Sequence, residues 1–172
     1  ASSYFYDSNN ERAVVAQGST ATHYPNTLYN ISGPTPIKHI FLNGNMLATV
    51  KGGWGNGILY YNHTDHLMGS NVVSDSSAHV AELTDYLPYG SIRTDDKINA
   101  YAEQRKYIGQ EYDAGSGLNY LNARYYDGGR GQFVSEDPSF LGMGASEITP
   151  RLLVDPQLQN SYSYGRDNPI TN

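Results

Sequence analysis

Between Tyr107 and Pro138 the chain reads YIGQEYDAGSGLNYLNARYYDGGRGQFVSEDP. No other stretch constrains the fold as strongly. Tyr107 to Asp113 reads as a strand, and Gly115-Ser116-Gly117 turns the chain. Leu118 to Asp127 reads as a second, aromatic strand. Gly128-Gly129-Arg130-Gly131 turns it again, and the third strand ends on the pair Asp137-Pro138. Glycine supplies the positive φ that tight turns demand, and tyrosine suits a half-wet pleated surface where its hydroxyl finds a partner.

The earlier part of the chain repeats one unit. Tyr4 to Asp7 leads to a turn at Ser8-Asn9-Asn10 and then Arg12 to Ala16. His39 to Leu42 leads to Asn43-Gly44-Asn45 and then Met46 to Val50. Leu59 to Asn62 opens a third copy. Asn71 to Asp75, a turn over Ser76 to Ala78, and His79 to Leu83 continue the series. An array of hairpins, each burying its face only against its neighbours, follows from such repetition. The prolines at 34 and 36 and the glycine-dense stretch Gly52 to Gly57 read as surface loops. Lys97 to Lys106 reads as one helical turn or as an excursion between strands.

Composition narrows the class. Tyrosine at 16 residues and only 16% charged residues exclude a disordered chain, which needs few aromatics and high charge. A hydrophobic content of 38% favours a thin sheet with polar-aromatic faces over a thick sandwich. A net charge of −6 argues against a nucleic-acid surface, which needs clustered Lys and Arg. The absence of cysteine excludes disulfides and thiolate metal sites. No apolar run approaches the ~20 residues of a membrane helix. No signal peptide is visible, and both ends read as cut from a longer polypeptide.

After Pro138 the pattern changes. Ile148, Leu152 and Leu153 have helical spacing within Glu147 to Val154. Asp155-Pro156 reads as an N-cap followed by proline at the first helical position, with a helix over Gln157 to Tyr164 and Gly165 as its stop. The expected fold is therefore all-β: antiparallel hairpins forming one curled sheet, with one or two short helices near the C-terminus.

These motifs together resemble the RHS (rearrangement hotspot) or YD-repeat family, strongly over 59–172 and weakly over 1–57. The Tyr107 to Pro138 stretch resembles that family's core region. Tyr86-Leu87-Pro88-Tyr89-Gly90 is similar to its "Tyr-x-Pro-Phe/Tyr-Gly" step, Asn160, Tyr162 and Tyr164 to its "Asn-x-Tyr-x-Tyr" step, and Asp167-Asn168-Pro169 to its "Asn-Asn-Pro". The resemblance implies YD-repeat-like hairpins over residues 1–57 and the RHS repeat-associated core over 58–172. It implies the closing end of a hollow β-shell that sequesters a C-terminal toxin or effector segment. The implied partners are the remaining repeats of the parent chain and that segment, with no nucleic acid and no membrane insertion. The implied setting is secreted or attached to the cell envelope. An adhesion or carbohydrate-binding module is the alternative from another class.

The resemblance also implies a site. In self-processing members a "Gly-Arg-Phe-x-x-x-Asp-Pro" step and a later "Asp-Pro-x-Gly-Leu" step supply two aspartates that act as an aspartic-protease pair. Gly131 to Pro138 is similar to the first step, with Gln132 where Arg is usual, which makes Asp137 the candidate catalytic residue. The second aspartate would fall two places beyond Asn172, so the 172-residue chain is expected to be inactive by itself. Asp155 is the lesser candidate, since helix capping explains it. Arg124 and Arg130 could each pair with Asp137.

Other constellations carry less. His63, Asp65 and His66 suggest a metal, but on a strand His63 and Asp65 share one face and His66 points away. A catalytic zinc normally takes three protein ligands. No cofactor is expected. Trp54 and the tyrosines could stack on sugars, though packing across a sheet is the commoner use of regularly spaced tyrosine. Ser70 and Ser135 lie in no strand–turn–helix elbow of the Gly-x-Ser-x-Gly kind.

Overall fold

The computed structural model describes residues 2–99, 101–142, 154, 155, 157 and 159–170. Ten strands form one antiparallel sheet in strict sequence order: β1 (Ser2–Tyr6), β2 (Arg12–Gln17), β3 (Thr20–Asn26), β4 (Tyr29–Ser32), β5 (Thr35–Leu42), β6 (Asn45–Lys51), β7 (Ile58–Thr64), β8 (Ser70–Asp75), β9 (Val80–Tyr86) and β10 (Ile92–Lys97). Four short strands form a second antiparallel sheet, also in sequence order: β11 (Glu111–Asp113), β12 (Leu118–Leu121), β13 (Arg124–Asp127) and β14 (Gln132–Phe133). The chain is all-β, as expected.

One turn recurs along the large sheet. Asp7 and Asp65 each follow a strand, and Asp75 ends one. Each accepts at Oδ1 from the backbone N–H two and four residues on, at 2.8–3.0 Å. The residue three places after each aspartate, Asn10, Met68 or Ala78, has a positive φ. The carboxylate thus satisfies the amides that a tight turn leaves without a ladder partner. The β5–β6 hairpin turns differently, on Asn43 and Gly44, both at positive φ, as the Asn-Gly pair demands.

Register shifts interrupt the β1–β2, β3–β4, β5–β6, β7–β8, β8–β9 and β9–β10 pairings. Such bulges strengthen the right-handed twist. The sheet curls accordingly. Flat, β3 and β10 would lie ~33 Å apart at about 4.8 Å per strand. Yet Thr20 of β3 and Asp95 and Lys97 of β10 line one cavity of about 350 Å³. Segment 101–113 runs through the curl and is touched from Arg12 on β2, Asn30 on β4, Thr49 on β6 and Glu82 on β9.

The face turned toward this segment is polar. Arg12, Asn30, His39, Thr49, Asn62, Ser70, Glu82 and Thr84 are all buried there. Tyr60, Val73, Ala81 and Tyr101 form a small apolar cluster among them, with Tyr60 and Tyr101 stacked at 3.8 Å. The opposite face leaves Ile40, Leu47, Tyr61 and Leu83 exposed.

Five sequence expectations are corrected. The stretch Leu118 to Asp127, expected as one strand, is a hairpin in which β12 and β13 pair across a turn with Asn122 at φ 56°. Pro36 lies inside β5, opposite Ile31. The stretch over residues 20–32 forms β3 and β4, which sequence patterning did not mark as strands. Tyr107–Gly109 is a 3-10 turn with Ile108 at φ 49°, which breaks the strand expected there; only Glu111–Asp113 is extended. Gln157, Gln159, Ser161 and Tyr162 lie in turns rather than one helix, and the short helical turns fall at Pro138–Gly142 and Gly165–Asp167. The helix expected over Glu147 to Val154 lies, but for Val154, outside the described residues. Past Lys97, the end of β10, the described residues up to Lys106 form the excursion between strands and no helix.

Candidate functional site

Asp137 stands just beyond β14, where two stretches of the chain meet. Phe133 N–H donates to the Tyr162 carbonyl at 3.0 Å, Gln132 bridges to Ser163, and Asp137 N–H donates to the Ser161 carbonyl at 3.1 Å. The stretch after Asn160 therefore runs antiparallel beside the one that carries Asp137. Tyr164 anchors it by packing against Tyr126 at 4.4 Å and Phe133 at 5.9 Å.

Arg124 on β13 organises the site. Its guanidinium pairs with Asp137 Oδ2 at 2.8 Å, donates to the Ser161 carbonyl at 3.0 Å, and stacks over Phe133 at 3.5 Å. One planar cation thus ties both strands together, which a lysine could not do at three points. Asp137 Oδ1 accepts from Ser139 N–H and Oγ–H at 2.9 and 2.8 Å. Burial works to raise this carboxyl, but the Ser139 donors and Arg124 outweigh it and hold it below the usual range. Asp137 is therefore the ionised kind of carboxylate, fit to act as a base but not as an acid.

Asp155 is held elsewhere. It accepts from Gln157 N–H at 3.0 Å and pairs with Arg166 at 2.9 Å. Among the described residues no hydrogen bond joins Asp137 to Asp155, so the two do not form a proton-sharing pair. Arg130 pairs with Asp127 at 3.4 Å. His63 Nε2 lies 3.0 Å from Ser74 Oγ while Asp65 closes its turn, and no group of three metal-ligating side chains exists among the described residues. Trp54 is exposed, with Lys38 Nζ 4.6 Å from its ring centre.

The structure also shows a buried charge network that sequence reasoning missed. Arg12 donates to both Asp113 oxygens at 2.9 Å and lies 3.5 Å from Glu111. Tyr24 and Tyr120 cover its guanidinium at 4.7 and 4.4 Å. Burial pushes Glu111 and Asp113 upward against the pull of the arginines. Further along, Lys106 Nζ reaches Glu82 Oε1 at 2.8 Å, Asp95 Oδ1 at 3.0 Å and Thr84 Oγ1 at 3.2 Å. Glu82 Oε2 accepts from Glu103 N–H at 2.6 Å. The second Glu103 oxygen takes protons from Tyr101 and Thr49 at 2.6 and 2.8 Å. The one available signal was polar residues at alternate positions of strands, a pattern that ordinarily marks a solvent face.

No family model matches the chain. Over 98% of its length it is 27% identical to a segment of the tRNA3(Ser)-specific nuclease WapA of Bacillus spizizenii, 7% of that protein. Over 62% of its length it is 30% identical to a segment of the double-stranded DNA deaminase toxin A of Burkholderia cenocepacia, 8% of that protein. The crystal structure of TcdB2-TccC3 matches 99% of the chain with a TM-score of 0.76 at 22% identity, over 9% of the matched chain. A chain of the Photorhabdus luminescens Tc holotoxin pore matches 99% with a TM-score of 0.73 at 22% identity, over 8% of its length. The solved structures establish the fold. The chain spans less than a tenth of the length of each of these proteins, and it is similar to a segment of long toxin-associated chains.

Proposed function

We propose that this chain is the closing end of an RHS/YD-repeat β-shell that sequesters a C-terminal toxin or effector segment of its parent protein. Residues 1–57 would contribute wall hairpins and 58–172 the core, in a secreted or envelope-associated protein. The observation that carries the reading is the ten-stranded sequential sheet curled around segment 101–113. Strands in sequence order make a wall that further hairpins extend at its edges, and a segment lying across the inner face closes it. Enclosure needs a continuous hydrogen-bonded wall rather than an active site.

The experiment is limited proteolysis of the parent protein. Its C-terminal segment should resist protease while the shell is intact. Arg12→Met strips Asp113 and Glu111 of a buried counter-charge, at a cost of about 3–5 kcal/mol. The segment should then be degraded at protease levels the parent withstands. Equal digestion of the segment in both, with the variant otherwise folded, would remove the enclosure reading.

A second reading, self-processing, is favoured by one observation: Asp137 is held ionised beside the antiparallel 160–164 stretch. It needs a protonated partner aspartate, since the chemistry divides base and acid between two carboxyls. In the parent protein Asp137→Asn should abolish cleavage while leaving the shell folded, as mass spectrometry would read. Cleavage at an unchanged rate would leave Asp137 a turn residue.

A further inference from the structure

The cluster of Lys106, Asp95 and Glu82 has a use that neither enclosure nor self-processing absorbs. Lys106 and Glu82 are almost wholly buried, with side chains 4% and 1% exposed, and Asp95 is 22% exposed. Lys106 lies on the segment inside the curl, Glu82 on β9, and Asp95 on β10, the last strand of the large sheet. We propose that Lys106 and Asp95 join through an intramolecular amide bond, formed without any cofactor, with Glu82 as the proton carrier.

The geometry meets the requirements of amide formation. The amine must approach the carboxyl carbon at near contact, ~3–3.5 Å. Lys106 Nζ sits 3.0 Å from Asp95 Oδ1, one bond from that carbon. The carboxyl must be polarised. Lys97 Nζ holds Asp95 Oδ2 at 2.9 Å, and the Thr84 hydroxyl donates to Oδ1 at 3.5 Å. These two groups stand where negative charge gathers as the nitrogen adds. A third group must move protons, and Glu82 Oε1 lies 2.8 Å from Lys106 Nζ. Glu82 and Asp95 also shift each other's carboxyls, so Glu82 acts on both partners.

The two carboxyls are held differently. Burial pushes the Glu82 carboxyl up, and its bond to Asp95 adds to that against Lys106 and the Glu103 amide. Of the two carboxyls, Glu82 is thus the readier to hold a proton. Burial also works to raise Asp95, but Lys97, Lys106 and Glu82 outweigh it and keep it low. Transfer of one proton from the Lys106 ammonium to Asp95 leaves the cluster's total charge unchanged. It converts the ion pair into the neutral amine and neutral acid that amide formation requires, against the pull that keeps Asp95 ionised.

The step balances within the cluster. The Nζ lone pair forms a bond to Asp95 Cγ. Glu82 gives its proton to the departing carboxyl oxygen and recovers one from the nitrogen. One C–O bond breaks, and one water leaves. No oxidant or activating group is required. The product ties the edge strand β10 covalently to the segment that β2 to β9 enclose, so the rim could not peel away.

The test is peptide mapping of the protein folded in its parent chain, then denatured and cut with trypsin. An acylated Lys106 is not a trypsin site. The expected product is one branched peptide joining 94–97 to 106–124, lighter than its two parts by one water. Glu82→Gln keeps the hydrogen bond to the Glu103 amide but cannot carry a proton, and should return the two peptides unlinked. Separate, full-mass peptides from the folded wild-type protein would overturn the proposal. So would a branch from Lys106 to Glu82, or a water loss mapping only to Asp127-Gly128. Linkage persisting in full in Glu82→Gln would overturn the role of Glu82.

Discussion

His39 shows how one buried side chain makes stability depend on pH. It is 4% exposed, with Nε2 3.2 Å from Asn30 Nδ2 and Nδ1 3.2 Å from Thr49 Oγ1. The Asn30 amide nitrogen can only donate, so Nε2 accepts and Nδ1 carries the proton of a neutral ring. Burial lowers the imidazole to about 4, with Glu103 pulling it up and Arg105 adding to the fall. A depressed histidine contributes its stability fully above the unfolded value near 6.5. That contribution is lost as pH falls from there toward about 4. At 1.36 kcal/mol per pKa unit the loss is about 3 kcal/mol. Urea unfolding at pH 7 and pH 4.5 should show a shallower pH dependence for His39→Gln than for the wild type. Equal dependence in the two would mean His39 is not the titrating group. Asp137 acts in the opposite sense: its lowered carboxyl stabilises above the unfolded value near 3.9 and loses that contribution as pH falls. Being partly exposed and screened, it contributes little.

At the scale of the element, the aspartate turns set the hairpins. Asp65 Oδ1 takes two backbone amides, of Leu67 and Gly69, and its own N–H bonds the Gly69 carbonyl at 3.0 Å. The same pattern at Asp7 and Asp75 makes it a property of the repeat rather than of one loop. Asp65→Ala leaves two turn amides without their acceptor and should cost about 1 kcal/mol. Asp65→Asn keeps an acceptor oxygen and should cost less than half as much. Chemical denaturation of the two variants checks this; equal losses would show that the charge, not the hydrogen bonds, holds the turn. Turns differ in how plainly the sequence shows them. Asn43-Gly44 announces itself, whereas the amides that Asp65 accepts from show only in the fold.

Across the whole molecule, the small sheet is seated on the large one backbone to backbone. A Cβ added at Gly128 would lie 2.7 Å from both Gly90 C and Ser91 N. No flexible side chain can give way there. Tyr126 Oη donates to the Tyr89 carbonyl at 2.7 Å beside this contact, and Tyr107 donates to the Pro88 carbonyl at 3.2 Å. Gly128→Ala must therefore push the β13–β14 turn off the β9–β10 connection, at about 1–3 kcal/mol by the usual scale of overpacking. The wild-type chain should unfold in one transition, because Arg12, Lys106 and these tyrosines couple both sheets. Gly128→Ala should lower its midpoint, and tyrosine fluorescence should then change before the far-ultraviolet circular dichroism does. Coincident, unshifted curves would show that the close approach at Gly128 is not tight.

Sequence alone determined the all-β class, several of the hairpins, the glycine turns on either side of Leu118 to Asp127, and the pairing of Arg124 with Asp137 as one of two options. These features depend on near neighbours and on side-chain period, which a linear chain displays. Tertiary structure alone decided which face of the large sheet is inside. Alternation of period two marks two faces but does not name the buried one when both carry tyrosine and polar groups. Arg12, Glu82 and Lys106 look like solvated charges in the chain and become buried only when the curl brings β2, β9 and segment 101–113 together. The same distance in sequence hid the separate holding of Asp137 and Asp155. Whether two carboxylates share a proton is set by the arginines that reach them, Arg124 and Arg166, and those contacts exist only in the folded chain.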